Sequence, residues 1–386
     1  MIGNRLRPRL AWAIATTVLA TCLGSSKLAA EPAGPDAKLW EKTVDGAIQF
    51  LRKSQDPQDG SFSKQSSIGV TGVALTGVLE TGRIPTSDPL VANGLKYLES
   101  LVNPKDGHIA GDNPKVQLKN YVTAVNVMAL AASKDPKYRK IVADGAKFLK
   151  ELQWDEGEQK TPADNFYGGF GYDSKNRPDL SNTQFALDAL RAAGIPPSDE
   201  AYKKAMVFVS RCQNRKSEAN DQPWADKIND GSFIYSAAGP GETKVLDTTD
   251  PAAAKPGYAS MTYAGIKSMI YAGVDKNDPR VKAAWEWIRK HYSVEENVGM
   301  PANRRQQGLY YYYHTMAKCL DALGVDFVED DKGVKHDWRK DLTEALAKRQ
   351  RPEGSWTNQA DRWMEGDPNL VTGYALMTLS YCKPKK

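Results

Sequence analysis

Two apolar patterns alternate along this 386-residue chain. The first is a stripe. Val44, Ile48 and Leu51, then Leu95, Leu98 and Leu101, then Val281, Trp285 and Ile288 recur at helical intervals, with Lys, Arg, Glu and Gln between them. That spacing predicts amphipathic helices with one wet side. The second pattern is nearly continuous. Segments 70–79, 121–132, 185–193, 261–271, 316–323 and 371–381 are rich in Ala, Gly, Val, Leu and Met and poor in charge, which predicts helices buried all round. Several end near Gly82, Gly194, Gly273 or Gly324, where a left-handed cap is favoured.

The two patterns alternate six times, joined by short turns that pair glycine with an aromatic or aliphatic residue. The turns are Asp59-Gly60-Ser61-Phe62, Asp106-Gly107-His108-Ile109, Gly168-Gly169-Phe170-Gly171-Tyr172, Asp230-Gly231-Ser232-Phe233, Gly308-Leu309-Tyr310 and Glu353-Gly354-Ser355-Trp356. One helix pair cannot bury its own apolar face, so pairs at a loose period stack or close on one another. The expectation is an all-α double ring, wet helices outside and dry ones inside, as a single domain over residues 31–386.

The turns also carry a family resemblance. An aromatic residue stands five positions before a glutamine at Phe50 and Gln55, Phe148 and Gln153, and Phe208 and Gln213; Ala345 and Gln350 keep the spacing without the aromatic. Tyr97 to Val102 and Trp287 to Tyr292 keep it without the glutamine. With Gly60-Ser61-Phe62 and Gly354-Ser355-Trp356 downstream, this resembles the QW motif of squalene and oxidosqualene cyclases. Gly168-Gly169-Phe170-Gly171 resembles a turn shared by those cyclases and the protein prenyltransferase β subunits. The resemblance implies an α6/α6 toroid of six inner and six outer helices around a central cavity, with an isoprenoid or other apolar small molecule as its ligand.

The family's chemistry transfers only in part. Asp179-Leu180-Ser181-Asn182-Thr183 stands where class II terpene cyclases carry Asp-x-Asp-Asp-Thr, whose middle aspartate donates a proton. Asp179 matches and is the candidate acid; Ser181 and Asn182 do not match, and serine cannot supply a proton of raised pKa. The same segment reads as a helix N-cap. Prenyltransferase zinc needs Asp-x-Cys and a partnered histidine, whereas His108, His291, His314 and His336 are scattered, so no cofactor or metal is expected.

Ligand contacts are expected where inner helices begin. Tyr310, Tyr311, Tyr312, Tyr313 and His314 open the fifth. Successive helical residues turn by about 100°, so one or two tyrosines can face the cavity with His314 and the rest pack between helices. Tyr121, Tyr258, Tyr263 and Tyr374 stand near the starts of others. The expected ligand-binding set is Asp179, Asn182, Tyr121, Tyr258, Tyr263, Tyr310, Tyr311 and His314. A long insertion after Gly239, including residues 247–256, is expected to form a lid or rim. Two alternatives stand beside the isoprenoid reading. One is a noncatalytic toroid that binds a lipid, glycan or protein; the other is a carbohydrate-active barrel using Asp173 and Asp179 as its carboxylate pair.

The N-terminus changes the address. Arg5, Arg7 and Arg9 precede an apolar stretch from Leu10 to Gly24 and then Leu28-Ala29-Ala30, the pattern of a secretory signal peptide over residues 1–30. Leu19-Ala20-Thr21-Cys22 also resembles a lipobox, which makes Cys22 a candidate for lipidation and membrane-surface association. Residues 1–30 hold four basic and no acidic side chains, so their removal takes the formal charge from +5 to +1. A near-neutral protein outside the cytoplasm gives no electrostatic reason to bind nucleic acid. Cys212, Cys319 and Cys382 are too few and too odd in number for a disulfide framework, and no pattern specifies an oligomeric state.

Overall fold

The computed structural model describes Met1 and residues 34–113, 118–173 and 175–384; the expected signal peptide and Cys22 lie outside the described residues. Among the described residues, twelve α-helices alternate in role. The outer helices are α1 (Ala37–Ser54), α3 (Pro89–Ser100), α5 (Arg139–Glu151), α7 (Glu200–Arg211), α9 (Pro279–Lys290) and α11 (Trp338–Arg349). The inner helices are α2 (Val70–Thr81), α4 (Lys119–Ala132), α6 (Leu180–Ala192), α8 (Ala259–Tyr271), α10 (Leu309–Leu323) and α12 (Pro368–Tyr381). Each inner helix packs on the next, α12 packs back on α2, and α1 meets both α11 and α12. The chain is therefore an all-α, α6/α6 toroid. No described helix is long and apolar enough to cross a membrane.

Local chemistry starts the outer helices. Asp36, Asp88, Asp199, Asp278 and Asp337 each accept a backbone N–H of the first turn through the side chain, satisfying amides that a helix start leaves open. Ring closure is the work of the turns. Gln55, Gln153, Gln213 and Gln350 each donate both amide hydrogens, one to the carbonyl of their own turn glycine and one to a carbonyl of the next outer helix, at 2.8–3.0 Å. The second acceptors are Leu90, Ala201, Arg280 and, across the seam between the chain ends, Thr43.

The glycines of these turns have no substitute. Gly168 has φ +84°, and a Cβ there would stand 1.8 Å from the Lys204 carbonyl oxygen; at Gly354 it would stand 2.1 Å from that of Gly46. A third contact ties each turn to its inner helix. The backbone N–H of Phe62, Ile109, Phe170, Phe233 and Trp356 donates to the hydroxyl of Thr71, Thr123, Thr183, Thr262 and Thr372 respectively, at 2.9–3.4 Å. The fifth repeat departs from this plan: Gly308, at φ +68°, is itself the N-cap of α10. Cys212, Cys319 and Cys382 are buried free thiols.

Candidate functional site

All six inner helices begin around one cavity of about 260 Å³, lined by Val70, Tyr121, Asn182, Phe185, Met261, Tyr311 and Tyr374 among others. Four aromatic rings form a belt within it. Tyr121 meets Phe185 edge to face at 5.2 Å between centroids, Phe185 meets Tyr311 at 6.0 Å, and Tyr311 meets Tyr374 at 6.3 Å. The belt closes where the Tyr374 and Tyr121 hydroxyls stand 3.1 Å apart. The rings come from α4, α6, α10 and α12, so the belt exists only when the toroid is closed.

The structure divides the expected ligand-binding set. Tyr121, Asn182, Tyr258 and Tyr311 line the cavity. Asp179 does not: it is buried under the start of α6, where Oδ1 accepts the Asn182 backbone N–H at 2.8 Å and Oδ2 the Asn182 side-chain amide at 2.7 Å. Burial pushes its carboxyl up, opposed by those bonds and by the Tyr235 hydroxyl. Tyr310 faces a separate polar groove with Arg305 and Arg349. Tyr263 is buried against Tyr312, 5.8 Å between centroids. Of the four consecutive tyrosines only Tyr311 faces the axis, while the Tyr312 and Tyr313 hydroxyls donate to the Ser293 and Val294 carbonyls. The 100° step between helical neighbours separates them.

His314 lies below the belt rather than in it. Its ring stacks on Tyr374 at 5.7 Å and 10° and on Phe185 at 6.1 Å, and neither nitrogen has a hydrogen-bond partner. Burial, with Lys318 and Lys267 nearby, holds the imidazole well below its ordinary pKa. One turn further, Asp188 Oδ2 accepts from Lys267 Nζ at 2.7 Å and Lys318 Nζ at 3.0 Å. These three residues are buried, and the Lys267 ammonium is pushed down to about 8 by desolvation, against the pull of Asp188. The two lysines in turn hold the Asp188 carboxyl below its ordinary value in spite of burial.

The carboxylate of the described cavity lining is one that the sequence hides, Glu365. It lines the cavity although it is only 1% exposed. Oε1 accepts the backbone N–H groups of Tyr310 and Tyr311 at 2.9 Å, and Oε2 accepts the Asn358 side-chain amide at 2.6 Å. Desolvation nevertheless pushes its carboxyl up to about 7. Trp363 and Met364, immediately before it, both line the cavity and both hold left-handed backbones, at φ +60° and +66°. Two consecutive non-glycine residues in that region store strain of about 1–3 kcal/mol each, which the surrounding contacts must offset.

The insertion reaches the rim. Lys244 stands 3.9 Å from the centroid of the Tyr235 ring, and Tyr235 lines the cavity. Lys244 pairs with Glu242, which also pairs with Arg177, and burial pushes the Lys244 ammonium down to about 8. Asp173 is tied into a local turn, accepting the Lys175 and Asn176 backbone N–H groups at 2.8 Å, so neither it nor Asp179 lines the cavity as a carboxylate pair would. Among the described residues no group of three or more His, Cys, Asp or Glu side chains is placed to hold a metal ion.

No family model matches this sequence, and no curated protein matches it. Solved structures do. The apo type II terpene cyclase MstE from Scytonema is similar at TM-score 0.55 and 13% identity, over 91% of this chain and 99% of that one. A D-mannose isomerase is similar at TM-score 0.56 and 11% identity, over 90% and 97%. A family 76 glycoside hydrolase from a bovine Bacteroides thetaiotaomicron strain is similar at TM-score 0.53 and 13% identity, over 88% and 77%. At such identity the likeness is one of fold: this chain is a toroid of the architecture that terpene cyclases share with carbohydrate-active enzymes.

Proposed function

We propose that the central cavity receives an apolar molecule of the isoprenoid class, and that the protein binds it outside the cytoplasm. The aromatic belt of Tyr121, Phe185, Tyr311 and Tyr374 supports this reading most, since π faces and apolar walls with a few polar groups suit a largely hydrocarbon ligand. The Scytonema cyclase, of the same fold, has a geranylgeranyl-bearing substrate. A cavity of about 260 Å³ falls just below the range of roughly 300–1,000 Å³ typical of ligand pockets. It suits one short isoprenoid better than a triterpene. Asp179 capping α6 favours holding the ligand over cyclising it by protonation from that position. The test is mass spectrometry of lipids that copurify with the protein, together with quenching of tryptophan fluorescence by farnesol, for which Trp363 in the lining is the reporter. If neither a copurifying isoprenoid nor saturable quenching is found, the reading is wrong. Export rests on the N-terminal pattern of Arg5, Arg7, Arg9 and Leu10 to Gly24. An intact mass of the mature protein beginning near residue 31, or at a lipidated Cys22, is the expected result; an unprocessed chain refutes it.

A further inference from the structure

The lining of the cavity has a one-sided electrostatic character. Among the described residues that line it, Glu365 is the one carboxylate and none is a lysine, arginine or histidine. The four rings of the belt turn π systems toward the same space, and aromatic faces attract cations through their quadrupole. Lys244, at the Tyr235 edge, is engaged by Glu242. Asn182 also lines the cavity, but its Oδ1 is buried away from that space and its amide nitrogen is committed to Asp179.

An aromatic belt and one buried carboxylate suit the same chemical group. Resting on the reading that the cavity takes an apolar molecule, we propose that this molecule carries a protonated amine, whose charge lies between the belt and Glu365. An uncharged alcohol would leave Glu365 without a counter-charge. A carboxylate or phosphate would face Glu365 as a like charge in a desolvated space. Three of the six inner-helix N-termini, which favour anions, are already occupied by carboxylates: the α10 start by Glu365, the α6 start by Asp179 and the α12 start by Asp367.

Three probes of one chain length separate the possibilities: farnesylamine, farnesol and farnesoic acid, titrated below their aggregation concentrations by calorimetry and tryptophan quenching. The expected order is amine first, with at least tenfold tighter binding than the alcohol, and the acid weakest. Glu365→Gln should bring the amine close to the alcohol while the alcohol still binds, which also shows that the variant is folded. If that variant does not fold, Tyr374→Leu removes a π face and should weaken the amine by more than the alcohol. Equal affinity of amine and alcohol in the wild type, or an amine preference unchanged by either variant, overturns the amine assignment and leaves the apolar reading standing. No binding by any of the three overturns both.

Discussion

Replacing Glu365 by glutamine should change how stability depends on pH, by an amount that the structure sets. The carboxyl is buried, and its value of about 7 stands against an ordinary 4.5. A tenfold change in proton affinity corresponds to about 1.4 kcal/mol, so holding this group as an anion in the fold costs about 3 kcal/mol. The folded value is raised. The stability it contributes is therefore fully present below about pH 4.5 and is lost as pH rises to about 7. The phenols that feel its charge, Tyr310, Tyr313 and Tyr374, are all pushed up by burial and stay protonated across that window. Glutamine keeps the shape and removes the titration. Urea denaturation of both proteins, followed by circular dichroism from pH 5 to pH 8, isolates the effect, because other titrating groups cancel in the difference. Between pH 5 and pH 8 the wild type should lose about 2.5 kcal/mol relative to Glu365→Gln, the rest of the loss falling below pH 5. A flat difference curve refutes the claim that burial governs this carboxyl.

Three further substitutions test the framework. Gln153→Ala leaves the Gly168 and Ala201 carbonyls without their donor and should cost about 2–4 kcal/mol in equilibrium unfolding; a loss near zero would mean the glutamine bridges do not hold the ring. Asp188→Asn leaves Lys267 and Lys318 as buried ammonium groups without their counter-charge, at about 3–5 kcal/mol. Adding Lys267→Met should recover part of that loss by thermal melting, and strictly additive losses would show the groups are not coupled. Gly168→Ala drives a Cβ into the Lys204 carbonyl and should abolish soluble expression, whereas Gly194→Ala, with φ +81° and nothing within 4 Å, pays only the left-handed strain of about 1–2 kcal/mol. Equal yields of the two variants would contradict the packing account.

The helices were readable because their signals are local. A stripe at Val44, Ile48 and Leu51 needs only the 3.6-residue period, and the start of α6 at Asp179 needs only an acceptor beside open amides. The glycine turns could be located for the same reason, and the fold class followed from their recurrence. What the glutamines do was not readable, because the second acceptor of Gln350 is the Thr43 carbonyl, 307 positions away. Five of the six inner helices carry a threonine whose role appears only once its turn folds onto it. Seam closure between α12 and α2 likewise depends on the two ends of the chain meeting.

The site divides along the same physical line. Aromatic residues at the starts of inner helices could be picked out by position, but which of them face the axis depends on helix rotation. Tyr311 faces it, while Tyr310 and Tyr263 do not, and His314 lies below the belt, stacked on two of its rings. Glu365 sits in the polar stretch Trp363-Met364-Glu365-Gly366-Asp367, which has no period and matches no motif. It becomes the carboxylate of the cavity because α10, 55 positions earlier, points two amides at it. Asp188, Lys267 and Lys318 are three isolated charges in apolar segments until the ring brings them together. Periodicity and capping act over one or two turns and are written in neighbouring residues. The charge, shape and chemistry of the cavity come from contacts between helices far apart in the chain, which only ring closure brings into one place.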